Sequence, residues 1–178
     1  MPKSTFAGHP LHPMLVVAPA ALIPFAFVLD AMHRSTRDAS YSKAAYYSLV
    51  GGLVGGAAAG AAGVMDYLTI PPETEVKRTA NVHAILNGGA MALTVVNTLA
   101  RSKAPSHRGG SLALTGLAAL GILVSSWFGG RMVYEQGMRV KGVSPVEDAP
   151  ELKPPGDKLL ERAMLKEEKL VTASGPVD

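Results

Sequence analysis

Residues 44–67 read AAYYSLVGGLVGGAAAGAAGVMDY, and no Asp, Glu, Lys or Arg interrupts them before Asp66. A helix rises about 1.5 Å per residue, so a helix over this segment is about 36 Å long. The hydrocarbon core of a bilayer is about 30 Å thick. The segment therefore predicts a helix that crosses a membrane.

Three further apolar segments, at about residues 11–31, 79–100 and 111–130, are long enough to do the same. Charged residues are concentrated after Arg139. The sequence thus predicts an all-α fold, a four-transmembrane-helix bundle formed by residues 1–139. In the first span Pro13 suits a helix start, whereas Pro19 and Pro24 remove backbone donors and predict kinks.

The polar tail, residues 140–178, is predicted to lie outside the membrane. Four prolines between 145 and 155 interrupt any regular structure before a charged segment at residues 157–171. Apolar residues recur there at helical spacing and predict a short amphipathic helix: Leu160, Ala163, Met164 and Leu170. Such a helix either docks on a partner or on the membrane surface, or remains solvated.

Composition excludes several kinds of site. The chain has no cysteine, which rules out disulfides, iron–sulfur clusters, thiolate zinc sites and covalently attached c-type haem. The formal net charge is only +3, and no basic run is interleaved with aromatic residues. Nucleic-acid binding is therefore not expected.

Basic residues predict the orientation of the bundle. Two loops on one side carry six of them, Arg34, Arg37, Lys43, Arg101, Lys103 and Arg108, against the single acid Asp38. Cytoplasmic loops of membrane proteins carry an excess of Lys and Arg. The sequence therefore predicts that these loops are cytoplasmic and that both termini lie on the opposite, periplasmic side.

The glycines of the second span form two rows at four-residue spacing. One row is Gly52, Gly56 and Gly60, and the other is Gly51, Gly55, Ala59 and Gly63. Rows of small residues let another backbone approach closely. We expect them mainly to pack helices, although a flat ligand would also find clearance there.

Polar residues from all four spans are predicted to gather at the end of the bundle that carries both termini. Ionisable and imidazole groups in or near a membrane are costly unless they are paired or coordinated, so their clustering predicts a site. The candidate residues are His9, His12, Asp66, His83, Asn87 and Tyr134.

His12 and His83 are the leading candidates for metal ligands. Two neutral imidazoles suffice for a six-coordinate b-type haem, whereas zinc needs three or four ligands. Asn87 lies one turn from His83 on the same helix face, and with Asp66 and Tyr134 it is expected to support the ligands or the haem propionates. A divalent-metal site formed by His9, His12, Asp66 and His83 is an alternative that the spacing leaves open, as is simple hydrogen bonding at the interface.

The opening Gly8-His9-Pro10-Leu11-His12-Pro13 resembles the signature of an uncharacterised family of bacterial four-helix membrane proteins. Other marks of that family are also present: Asp30, Gly63-Val64-Met65-Asp66-Tyr67, His83 with Asn87, Trp127-Phe128-Gly129-Gly130, Val133-Tyr134 and Gly137. The resemblance covers about residues 8–140. It implies a multi-pass protein of the bacterial cytoplasmic membrane.

Some relatives in that family join this membrane unit to a Rieske iron–sulfur domain. The resemblance thus implies partners in respiratory or photosynthetic electron transfer, such as a Rieske protein or a cytochrome. Many members place a third histidine where this chain has Val17. That departure argues against a site that needs three histidines but does not affect a His12 and His83 pair.

Three functions are consistent with the sequence. The first is a membrane-anchored electron-transfer subunit that binds b-type haem near the outer membrane face. The second is a structural or assembly subunit of a larger membrane complex, and the third is a divalent-metal binding or transport protein. No nucleophile elbow, phosphate-binding glycine loop or HExxH motif is present, so a non-catalytic role is expected.

Overall fold

The computed structural model describes residues 4–104 and 111–140, and within them the fold is the predicted all-α bundle with four helices long and apolar enough to cross a membrane. A short hairpin, β1 (Thr5–Phe6) and β2 (His9–Pro10), precedes the helices. The helices are α1 (Leu11–Leu15), α2 (Val17–Thr36), α3 (Ala39–Thr69), α4 (Glu75–Arg101) and α5 (Leu112–Tyr134). The tail helix predicted at residues 157–171 lies outside the described residues.

The first span is interrupted at Val16, between α1 and α2. Pro19 explains the position, because its ring lacks an N–H and crowds the carbonyl four residues earlier, that of Leu15. The chain continues through hydrogen bonds from Val16 N to His12 O and from Ala20 N to Val16 O. Pro24, which was also expected to kink the span, lies inside α2 without interrupting it.

Two helices begin earlier than their apolar segments. Asp38 caps α3 by accepting a hydrogen bond from the backbone N–H of Ser40, 2.8 Å away, and this bond holds the pKa of its carboxyl below its usual value. Thr74 caps α4 by accepting from Lys77 N at 3.2 Å. These caps extend the helices beyond the apolar segments, since capping satisfies the free N–H groups of the first turn.

The helices pack in a ring in which α2 lies against α3 and α5, α4 lies against α5, and α3 and α4 touch more sparsely. Glycines of α3 make the closest approaches. A Cβ on Gly55 would lie 2.5 Å from the Cβ of Ala18, and one on Gly52 would lie 2.8 Å from Ile23. The predicted helix-packing role of the glycine rows is thus confirmed at these positions.

Side-chain distribution agrees with a lipid environment. Small and hydroxyl side chains fill the interior, whereas Ile85, Val54 and Leu99 are more than two-thirds exposed. Tyr46 and Tyr67 are 21 residues apart on α3, which corresponds to about 31 Å of helix. Aromatic residues favour the two membrane interfaces, so this spacing matches one bilayer thickness.

Candidate functional site

We call the end of the bundle where α1 begins and α5 ends the terminal end, and the opposite end, where α2 and α4 finish, the loop end. His12 belongs to α1 at the terminal end. The hairpin before it turns through Ala7 and Gly8, both with positive φ (51° and 77°), and Leu11 N donates to Ser4 O. A two-residue turn of this kind needs left-handed backbone, which glycine adopts at no steric cost.

The His12 ring packs against α3. Its Nδ1 lies 2.8 Å from the backbone carbonyl oxygen of Ala59. A Cβ on Gly63 would lie 2.9 Å from both Cε1 and Nδ1 of the ring, so Gly63 leaves the space that the imidazole occupies. Because a carbonyl only accepts, Nδ1 is the donor, and in the neutral imidazole Nε2 then has the free electron pair.

His83 on α4 is held by α5 in the same way. Its Nδ1 lies 2.8 Å from the backbone carbonyl oxygen of Ser125, and Gly129 leaves room for the ring, since a Cβ there would lie 3.1 Å from its Cε1. The same proton assignment follows. Both imidazoles are therefore fixed by a backbone carbonyl and fitted against a glycine of a neighbouring helix.

Asn87 joins His83 to Ser125. Its Nδ2 lies 2.7 Å from the Ser125 hydroxyl, 3.0 Å from the His83 carbonyl oxygen and 3.0 Å from Nε2 of His83. The i, i+4 relation predicted from the sequence is thus an actual contact. In the structure, Nε2 of His83 therefore accepts a hydrogen bond from Asn87.

The two imidazoles lie next to each other across the bundle. Their ring centroids are 6.0 Å apart and their planes meet at 84°. A bond from a metal to an imidazole nitrogen is about 2 Å long, so two imidazoles on opposite sides of one ion have centroids roughly 6 Å apart. Within the described residues, Nε2 of His12 has no hydrogen-bond partner.

Asp66 is close to the terminal end but is engaged elsewhere. Its carboxylate accepts from the backbone N–H and hydroxyl of Ser4, at 2.8 and 2.5 Å, and from Nη2 of Arg139 at 2.8 Å. Arg139 also donates to Thr69. Asp66 therefore ties both ends of the membrane domain to α3, instead of supporting the histidines as expected.

The other two predicted site residues lie apart from the imidazole pair. His9 pairs with Phe6 in the hairpin and is exposed. Tyr134, at the end of α5, is 89% exposed. Among the described residues, no three His, Asp or Glu side chains are close enough to hold one metal ion. The four-residue site of His9, His12, Asp66 and His83 is thus not assembled.

Sequence reasoning missed Ser125 and a second polar centre at the loop end. Asp30 of α2 and Arg101 of α4 form an ion pair there, with 2.7 Å between Oδ1 and Nη1, and both side chains are 1% exposed. The available signal was Asp30 itself, since an ionisable residue inside an apolar span marks a partner or a site. His33, also at the loop end, bonds the carbonyl of Asp38 through Nδ1.

Comparison with known proteins gives one match. Residues 8–142, about three quarters of the chain, match a family described as Predicted membrane protein (DUF2231). No curated protein and no solved structure matches the chain. The matched range contains the helices α1 to α5 and both polar centres. The chain therefore belongs to this family of predicted membrane proteins.

Proposed function

We propose that this protein is a membrane-anchored electron-transfer subunit that holds a b-type haem between His12 and His83. The observation that supports the proposal best is the pair itself: two imidazoles, 6.0 Å apart, each with its Nδ1 bound to a backbone carbonyl. Metal-bound histidines characteristically donate their second ring N–H to such an acceptor, which fixes the ring and orients Nε2 toward the metal.

The number of protein donors favours haem over a bare divalent ion. A porphyrin supplies four nitrogens, so two axial imidazoles complete six-coordinate iron. Zinc would need at least one more protein ligand, and the described residues bring no third ionisable ligand to the pair. The bound group would carry one electron at a time between its ferric and ferrous states.

Asn87 would change partners when the iron binds. It now donates to Nε2 of His83, the atom that the iron would take. The Ser125 hydroxyl and the His83 carbonyl, already within 3.0 Å of Nδ2, would retain the amide. Asn87 would then be a positioning residue, because its hydrogen bond holds Nε2 of His83 in place until the haem binds.

The finer assignment of location and partners also belongs to this proposal. With the basic loops in the cytoplasm of a bacterium, the imidazole pair lies near the periplasmic face of the inner membrane. Gly63 precedes the interfacial Tyr67 by four residues, so the pair lies about one helical turn below that interface. A periplasmic redox protein, such as a Rieske protein or a cytochrome, would approach the site from that side.

A visible spectrum tests the proposal. The protein purified from a haem-supplied host should show a Soret band and, after reduction, narrow α and β bands. His12→Ala and His83→Ala should each abolish or broaden these bands, whereas the control His33→Ala, at the loop end, should leave them unchanged. Asn87→Leu, which frees Nε2 of His83, should retain haem.

Two outcomes contradict the proposal. A colourless protein from a host with ample haem would reject haem and favour a structural subunit, or a metal site if elemental analysis then finds copper or zinc. A coloured protein that tolerates both histidine substitutions would retain the haem and reject these ligands.

A further inference from the structure

The polar centre at the loop end contains buried hydrogen-bond donors that have no acceptor among the described residues. Asp30 Oδ1 accepts from Arg101 Nη1, and its Oδ2 accepts from the Thr115 hydroxyl at 3.0 Å. The centre therefore joins α2, α4 and α5, which belong to the first, third and fourth membrane spans. Arg101, one of the most deeply buried side chains described, uses only one of its three nitrogens in this pair.

Asn97 lies one turn before Arg101 on α4 and so shares its helix face. Its Oδ1 accepts a hydrogen bond from Ser111 N, 3.0 Å away, at the start of α5. Nδ2 of Asn97 and both Nε and Nη2 of Arg101 are buried and have no hydrogen-bond partner within residues 4–104 and 111–140. All three unpartnered atoms are hydrogen-bond donors, and two of them carry the charge of a guanidinium.

A water molecule fits these atoms poorly. It would accept from at most two of the three donors and would leave the third without a partner, whereas an anion can accept from all three. An anion brings acceptors only. Buried N–H groups of a guanidinium bind anions more strongly than they bind neutral acceptors, because the hydrogen bonds are charge-assisted.

The start of α5 adds positive potential at the same place. Ser111 caps this helix through Leu114 N. The N–H groups of the intervening Leu112 and Ala113 have no acceptor within the helix, and helix N-termini favour anions. The C-terminus of α4 has the opposite sign, and Arg101, the last residue of that helix, is the basic residue of its last turn.

We propose that Arg101, Asn97 and the N-terminus of α5 form a binding site for a small inorganic anion of the size of chloride. The small size follows from burial, since the Arg101 side chain is 1% exposed and a phospholipid headgroup would not reach it. The anion would bridge α4 to α5 beside the Asp30 ion pair and stabilise the folded bundle. The site is independent of any haem at the terminal end.

The first test measures the thermal unfolding of the purified protein in a non-ionic detergent. Chloride is titrated against gluconate, an anion too large for the site, at constant ionic strength. The midpoint should rise with chloride and with bromide and then saturate, while gluconate alone has no effect. An equal response to gluconate would show a general salt effect and overturn the proposal.

Asn97→Asp provides the decisive variant. It keeps an oxygen for Ser111 N and places a fixed carboxylate where the anion would be, one turn from Arg101. The chloride response should therefore disappear. Asn81→Asp is the matched control, because Asn81 also uses its Oδ1 as an acceptor, from Tyr67 OH at 2.8 Å, but lies at the terminal end. It should respond to chloride like the wild type.

A measurement on the unsubstituted protein keeps the proposal testable if Asn97→Asp does not fold. Crystals grown in bromide should show an anomalous peak within hydrogen-bonding distance of Nε or Nη2 of Arg101. A chloride response that persists in Asn97→Asp, or a crystal in bromide without that peak, would overturn the proposal.

Discussion

Gly63→Ala should disturb the imidazole site with one added methyl group. The new Cβ would lie 2.9 Å from Cε1 and Nδ1 of His12. Carbon atoms in favourable contact are about 3.5–4.0 Å apart, so the ring has to move by roughly 0.6 Å or more. Since Nδ1 lies only 2.8 Å from the Ala59 carbonyl oxygen, such a movement strains or breaks that hydrogen bond.

Gly60→Ala is the matched control, one turn earlier on the same helix. A Cβ at Gly60 has no heavy atom within 4 Å. Both substitutions gain about 1 kcal/mol of helix propensity over glycine. Only Gly63→Ala also loses a hydrogen bond worth about 1 kcal/mol and crowds a packed ring, which costs about 1–3 kcal/mol.

The free energy of unfolding of Gly63→Ala should therefore be about 2–4 kcal/mol lower than that of Gly60→Ala. Reversible unfolding in mixed detergent micelles measures this difference. If His12 is a metal ligand, Gly63→Ala should also weaken haem binding about 10–100-fold, as the loss of a supporting contact around a ligand typically does. Equal unfolding midpoints and equal haem affinities for the two variants would refute the argument.

Three other outcomes are expected. Arg101→Met should lower the free energy of unfolding by about 3–5 kcal/mol, because it leaves Asp30 charged and buried. The double variant with Asp30→Leu should recover most of that loss, and a double variant no more stable than Arg101→Met would contradict this. Asp66→Asn should speed amide hydrogen exchange in residues 4–10, and unchanged exchange would show that the carboxylate does not anchor them. A reporter active only outside the cytoplasm should work after Lys141 and fail after Arg37, and the reverse would invert the orientation.

The sequence predicts the four spans because the hydrophobicity of each residue contributes separately to the insertion of a segment into a bilayer. It does not predict where the helices begin, since α3 and α4 extend to polar caps at Asp38 and Thr74 that no apolar pattern marks. The interruption predicted from Pro19 is present, at Val16, whereas Pro24 lies inside α2 without interrupting it. A proline disturbs the turn that precedes it, so the interruption falls before the ring.

The candidate site was predicted in part. His12 and His83 meet as expected because both belong to helices that enter from the terminal end. Asp66 has the correct depth but other partners, Ser4 and Arg139, which are 62 and 73 residues away in sequence. Such pairings depend on the path of the chain outside the membrane, and hydropathy contains no information about it.

The two polar centres of the bundle are chemically opposite. At the terminal end the ring N–H groups of His12 and His83 are directed to backbone carbonyls. Among the described residues, Nε2 of His12 has no hydrogen-bond partner and Nε2 of His83 accepts from Asn87. At the loop end, buried N–H groups of Arg101 and Asn97 have no acceptor in the part of the chain that the structure describes. At the loop end the unpartnered donors are buried, and a buried group left without a partner is costly, so this centre favours an anion. At the terminal end the imidazoles are half-buried, and their Nε2 electron pairs suit an electron-pair acceptor such as a metal ion.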